Sequence, residues 1–196
     1  MDKVWFRPLV WLDYRLALLF LVIIPVILLI WVLVQKAEVI QRLLIIYWRV
    51  SSLLAITVYL GIGEFGVSFI SGLMARILIP ISLWFWVDLN DEIEDQPMSP
   101  LKLIFTSWRW AVSVYCGLSA LASIPFLVCA FSETAIKTDF CRVWFEPPLL
   151  YKDYFHHNTK PGFLGFIGII ALIAYVLYLS YFVIIKLGKQ GRSATQ

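Results

Sequence analysis

The stretch Leu16–Val34, LALLFLVIIPVILLIWVLV, decides what kind of protein this is. It carries no charge, and as a helix rising about 1.5 Å per residue it matches a hydrocarbon core roughly 30 Å thick. Lys3, Arg7 and Arg15 precede it as they would in a secretory signal. The apolar block is too long for one, however, and no small-residue cleavage site follows, so it reads as a retained membrane helix. Pro25 lacks a backbone donor, which leaves a carbonyl one turn back for neighbouring helices to satisfy and predicts a kink. Upstream, Trp5, Phe6, Leu9, Val10 and Trp11 mix with Arg7, Asp13 and Arg15. That composition suits a short segment lying in the membrane interface, or equally a frayed tail.

The same pattern recurs along the chain. Hydrophobic residues make up 61% and charged residues 15% of the sequence, with a mean hydropathy of +0.85, against roughly 25% charged in a soluble domain. Further apolar blocks lie at 43–60, 67–87, 103–130 and 163–185. With 16–34 they predict an all-α, polytopic integral membrane protein of about five transmembrane helices, forming a single transmembrane domain over 1–196. Gly61, Gly63 and Gly66 flank Glu64 and predict a tight turn inside a helical hairpin. A polar loop over 88–100 opens with Asp88, Asp91, Glu92, Glu94 and Asp95, too costly to place in lipid. Ser99-Pro100 then supplies an N-cap with proline at the first helical position. The fourth helix is longer than a bilayer requires, so its first two turns are expected outside the hydrocarbon. A second polar loop, 131–160, separates it from a fifth helix that opens at Pro161 and stops at Lys186-Leu187-Gly188. The tail Lys189–Gln196 is polar.

Five spans put the turn near Lys36, the acidic loop and the C-terminus on one face, here face B. The N-terminus, the glycine turn and the long loop share face A. Face B collects Trp31, Trp48, Trp84, Trp86, Trp108, Trp110, Tyr178 and Tyr181, which predicts an aromatic belt. Lys and Arg divide almost evenly between the faces; the acid-free tail with Lys186, Lys189 and Arg192 inclines face B to the cytoplasm.

Arg49 and Arg76 lie inside apolar helices, where an isolated cation costs at least about 2.5–3.5 kcal/mol at the bilayer centre. They stand roughly 18 and 15 Å from the hairpin tip at about 1.5 Å per residue. With no acid expected in the helix cores, each needs an acceptor: the acidic loop, the Arg76 carbonyl freed by Pro80, a lipid headgroup or a partner. Snorkelling to face B without function is the competing reading. Arg109, between Trp108 and Trp110, is expected to pair with Asp88 or Asp91 and to stack on indole rings. His156 and His157 are the only histidines; their spacing to Cys141, Glu146 and Asp153 matches no zinc pattern, solvent-facing positions are expected, and helix cores without histidine disfavour haem. No metal, cofactor or catalytic constellation is predicted. Cys129 and Cys141 are candidates for a disulfide if face A is oxidising; otherwise the three cysteines act as small inert residues. Small residues at Ser113, Cys116, Gly117 and Ala120, and at Gly162, Gly165, Gly168, Ala171 and Ala174, suit close helix packing, within the chain or in a homo-oligomer.

The stretches Ala75–Asn90 (ARILIPISLWFWVDLN), Ser107–Trp110 (SWRW), Cys141–Pro148 (CRVWFEPP) and Lys160–Phe166 (KPGFLGF) resemble a cyanobacterial family of small multi-spanning membrane proteins of unknown function. The resemblance covers most of the chain. It implies a thylakoid or plasma membrane of a photosynthetic bacterium and carries no catalytic residue to any position.

Dispersed basic residues exclude a nucleic-acid footprint. The leading expectation is a non-enzymatic accessory or assembly protein binding a larger, photosynthetic membrane complex, with Arg49, Arg76, Arg109, Asp88 and Asp91 as partner or anion contacts. The alternatives are a small transporter or channel using the intramembrane arginines, and a lipid-binding membrane protein.

Overall fold

A computed structural model describes residues 4–187; Lys3 and the tail from Gly188 onward lie outside the described residues. Five helices are long and apolar enough to cross a membrane: α1 (Arg7–Gln35), α2 (Glu38–Ile62), α3 (Val67–Trp84), α5 (Pro100–Phe131) and α7 (Pro161–Ile185). Two shorter helices, α4 (Val87–Asp95) and α6 (Glu146–Phe155), lie between them, and single turns at Ala135–Lys137, Asp139–Arg142 and Val143–Phe145 lead into α6. Among the described residues there is no strand. Antiparallel α2 and α3 form the central pair, with α7 and the second half of α1 against α2, and α5 against α3.

Two expectations change. The first span begins at Arg7, so Arg7–Arg15 is a helical continuation of that span rather than a separate segment or a frayed tail. Val10, Leu21, Leu28 and Val32 are buried on one face that Asp13 and Ala17 share, and this stripe carries the helix through the charged residues. The ranges 88–100 and 131–160 are largely helical rather than loops. In α4, Leu89 and Ile93 sit one turn apart and are buried, while Asp91, Glu92, Glu94 and Asp95 are exposed. The acidic run is therefore the wet face of an amphipathic helix. Ser99 caps α5 as expected, accepting from the Lys102 amide at 3.2 Å.

Pro25 exerts its effect through a π turn at Leu19–Ile23. In an α ladder proline withholds a donor from the carbonyl four residues back, and in a π turn from the one five back. Both carbonyls are satisfied from other helices. The Tyr47 hydroxyl on α2 donates to the Leu21 carbonyl at 2.6 Å, and the Trp108 indole on α5 donates to that of Phe20 at 2.9 Å. The two rings meet edge-on at 5.1 Å, with Tyr47 0% and Trp108 4% exposed. The expected belt thus divides: Trp108 and Trp86 are core, whereas Trp110 is 58% exposed.

The hairpin glycines serve close approach rather than backbone freedom. Gly63 and Gly66 have ordinary helical dihedrals, and the left-handed residue is Glu64 (φ 55). A β-carbon on Gly165 would fall 2.7 Å from the Gly63 α-carbon, one on Gly61 2.9 Å from Pro148, and one on Gly66 3.0 Å from the Cys129 carbonyl oxygen. Gly165 and Gly168 therefore pack α7 against α2 within the chain, while Gly117 and Gly162 face open space.

These contacts gather the start of α1, the α2–α3 turn and α6 at one end of the bundle, the end called face A. Arg7 bridges to Glu146 there at 2.9 Å, and a disulfide joins Cys129 to Cys141, leaving Cys116 as a buried free thiol. The α1–α2 turn, α4 and Phe182 of α7, whose ring lies against Trp86, form the opposite end.

Tyr47→Phe should cost about 1–3 kcal/mol of stability, the penalty for a buried carbonyl left without a donor. Unfolding titrations in mixed micelles read this directly, and a loss below about 0.5 kcal/mol would show that α1 satisfies the carbonyl by itself. Replacing Cys129 and Cys141 by serine should remove about 3 kcal/mol, the cross-link effect for a loop of this order. Reducing agent should reproduce that loss in the parent chain and leave the serine variant unchanged.

Candidate functional site

α1 and α2 pack together along Ile24–Gln35 and separate toward face A. The separation opens a cavity of about 550 Å³. One wall is α1 from Val10 to Val22, the other α2 from Trp48 to Gly61, and the back is Ser68, Phe69, Gly72 and Arg76 of α3. Trp144, Phe145, Pro147, Pro148 and Tyr151 roof it at face A. Leu18 and Val22 of α1 and Ser52 and Ala55 of α2 line the cavity and are exposed. The mouth therefore opens sideways between two spans, toward the region occupied by lipid chains. From Trp48 to Gly61 the α2 wall runs about 20 Å at 1.5 Å per residue.

A charged pair lies in the otherwise mostly apolar lining. Arg76 donates Nη2 to Asp13 Oδ2 at 2.7 Å and Nε to Ser119 Oγ at 2.7 Å. Asp13 Oδ1 accepts from the Tyr115 hydroxyl at 2.8 Å and from Ser119 at 2.7 Å. The two side chains are only 16% and 19% exposed. Nη1 makes no hydrogen bond within the described residues and stands 3.2 Å from where a Gly72 β-carbon would be, so glycine leaves it room at the cavity wall. Hence the expectation that no internal acid reaches Arg76, and that it awaits a partner or lipid anion, is corrected. The acid is Asp13, brought into the bundle by the helical continuation of α1 to Arg7.

The other predicted residues do not converge on this site. Arg49 is exposed on the outer face of α2, so it and Arg76 point to different surroundings. Arg109 is 7% exposed; it donates Nη1 to the Asn90 side-chain carbonyl and lies 3.9 Å from the centre of the Trp84 ring. The expected stacking is present, and the hydrogen bond goes to Asn90 between the two predicted acids. Asp88 is half-buried in the first turn of α4, and Asp91 is exposed on its wet face. His157 is exposed, but His156 is half-buried and shares a hydrogen bond of 3.0 Å with the Tyr59 hydroxyl, tying the end of α6 to α2. Burial next to Tyr59 pushes the Tyr151 phenol above its ordinary pKa. Among the described residues no three potential ligands cluster as for a metal.

Sequence reading missed Asp13, Ser119, Tyr115 and the roof. The signal for Asp13 was its register, three residues after Val10 and four before Ala17 on the stripe that becomes the buried face of α1. The cavity has two further polar features, the Trp48 and Trp144 indoles. Both line it, and the buried Nε1 of each has no acceptor within the described residues. An unmet buried donor costs about 1–3 kcal/mol.

Asp13→Asn should destabilise the protein by about 3–5 kcal/mol, because it strands a buried guanidinium. Arg76→Leu should act similarly, while Asp13→Leu with Arg76→Leu should cost clearly less than the sum. Strict additivity in the unfolding titration would mean that the pair is not coupled.

Among curated proteins and among solved structures, nothing matches the chain. Over residues 7–195, which take in every helix described above, the sequence matches the family described as protein of unknown function (DUF3177), and the chain belongs to that family.

Proposed function

We propose that this chain is a non-enzymatic membrane protein that draws an amphiphile from the bilayer into the cavity between α1 and α2 and holds it there, as an accessory or assembly protein of a larger membrane complex. The observation that supports this reading is the lateral mouth formed by Leu18, Val22, Ser52 and Ala55. A mostly apolar cavity of about 550 Å³ lies within the size range of small-molecule sites. Lipid chains are the abundant solutes at the depth of its mouth. Arg49, exposed on the outer face of α2, is the residue best disposed to meet a partner subunit. The resemblance to a cyanobacterial family suggests a thylakoid or plasma membrane as the setting and a photosynthetic complex as the partner. The transporter reading loses its main support, because Arg49 and Arg76 do not face a common passage.

Protein purified in mild detergent should retain about one amphiphile per chain by native mass spectrometry and solvent extraction. Ala55→Trp, which fills the mouth from a lipid-facing position, should lower that occupancy at least fivefold without changing protein yield. Equal occupancy in parent and variant would overturn the cavity as the binding site. For the accessory role, affinity isolation from native membranes should recover a stoichiometric membrane partner, with recovery weakened by Arg49→Leu.

A further inference from the structure

We propose that the occupant is an uncharged amphiphile whose polar end carries carbonyl oxygens, seated against the Asp13–Arg76 pair where Arg76 Nη1 donates to it. This rests on the reading of the cavity as an amphiphile site and specifies the ligand's headgroup.

Hydrogen-bond arithmetic supplies the first argument. Both oxygens of Asp13 are already occupied by Arg76, Tyr115 and Ser119. The Thr57 hydroxyl is engaged with the Leu53 carbonyl and the Ser71 hydroxyl, and the Tyr59 hydroxyl with His156. Arg76 bonds through Nε and Nη2, which leaves Nη1 as an unmet donor at the cavity wall. A ligand that completes it must bring an acceptor.

Charge supplies the second. Among the described residues of the lining, Asp13 is the one carboxylate and Arg76 the one cationic side chain, and at 2.7 Å their formal charges cancel. Arg7 at the face A rim is likewise matched by Glu146. A phosphate brought to Nη1 would meet a guanidinium already neutralised, with the Asp13 carboxylate on its far side, and would lose its hydration without a compensating cation. A carbonyl oxygen takes the same hydrogen bonds without that loss.

Position supplies the third. Arg76 lies roughly 15 Å along α3 from the hairpin tip at 1.5 Å per residue, below the level of charged headgroups. The α2 wall runs about 20 Å in all from Gly61 at the tip to Trp48, so only about 5 Å of it lies beyond the level of Arg76 and a longer chain leaves through the lateral mouth. Ester-linked glycerides and chain-bearing quinones both combine such a chain with neutral carbonyls.

The test uses the full chain in detergent, stripped of endogenous lipid, with three probes read by native mass spectrometry: dioleoylglycerol, a decyl-substituted benzoquinone and dioleoyl phosphatidic acid. The last adds a phosphate to the first. At least one neutral probe should be retained at tenfold or greater preference over phosphatidic acid, and which one is retained identifies the ester or quinone source. Gly72→Ala, whose β-carbon would stand 3.2 Å from Nη1 and crowd the group seated there, should weaken retention of that probe about threefold or more. Equal or stronger retention of phosphatidic acid, sensitive to Ala55→Trp, would overturn the neutral headgroup while leaving the cavity reading intact. Unchanged neutral binding in Gly72→Ala would overturn the seating at Arg76. Retention of none of the probes, or retention unaffected by Ala55→Trp, would overturn both.

Discussion

In hydrocarbon no water completes an unfinished hydrogen bond, and Pro25 leaves two backbone carbonyls in that condition. The rest of the bundle is arranged around this constraint. Tyr47 and Trp108 reach Leu21 and Phe20 from two different helices, so a local gap in α1 becomes a three-helix junction. Leu28, Val32, Leu43 and Leu44 pack in the same core, and α1 and α2 stay together along Ile24–Gln35. Directional bonds to otherwise stranded carbonyls supply an association force that apolar contact alone lacks in lipid.

The π turn also helps to explain where the cavity lies. Beyond it, toward face A, α1 is no longer packed along α2 and runs past Asp13, whose contacts go to α3 and α5 instead. The space between the diverging helices is covered from above by Trp144, Pro147, Pro148 and Tyr151. That roof is fixed at several points. The disulfide precedes it, Glu146 receives Arg7 and Trp11, and His156 meets Tyr59. Water is held away from the Asp13–Arg76 pair on that side, which strengthens each of its hydrogen bonds and makes an unpaired member correspondingly costly.

The spans were legible in the sequence because hydropathy reports directly on length and charge: 67–87 and 163–185 fall within a few residues of α3 and α7. The need for outside donors at Pro25 was also legible, since proline chemistry is local. What sequence could not supply was the identity of those donors, Tyr47 and Trp108, because many aromatic side chains near helix ends offer the same polar atom. Asp13 was misplaced for a different reason. Charge density near a terminus favours an interfacial reading, and only register with the buried stripe of α1 separates the two. The cavity had no local signal, because it arises from the angle between two helices and a roof contributed from much later in the chain.

Arg49 and Arg76 show how little a residue type says without its neighbours. Both are arginines in apolar helices at comparable distance from one turn, and both would cost several kcal/mol if isolated. Arg76 is drawn inward because Gly72 leaves space beside it and because Asp13 and Ser119 come from two further helices to meet it. Arg49 is exposed on a face of α2 that no described helix covers, and its Cβ points along the helix toward face B. Its long side chain can reach toward the interface in that direction while its aliphatic part stays in lipid. The first arginine is therefore a structural element of the cavity floor, sensitive to loss of its acid. The second stands exposed on the outside of the bundle, where a lipid headgroup or the anionic surface of another subunit can reach it.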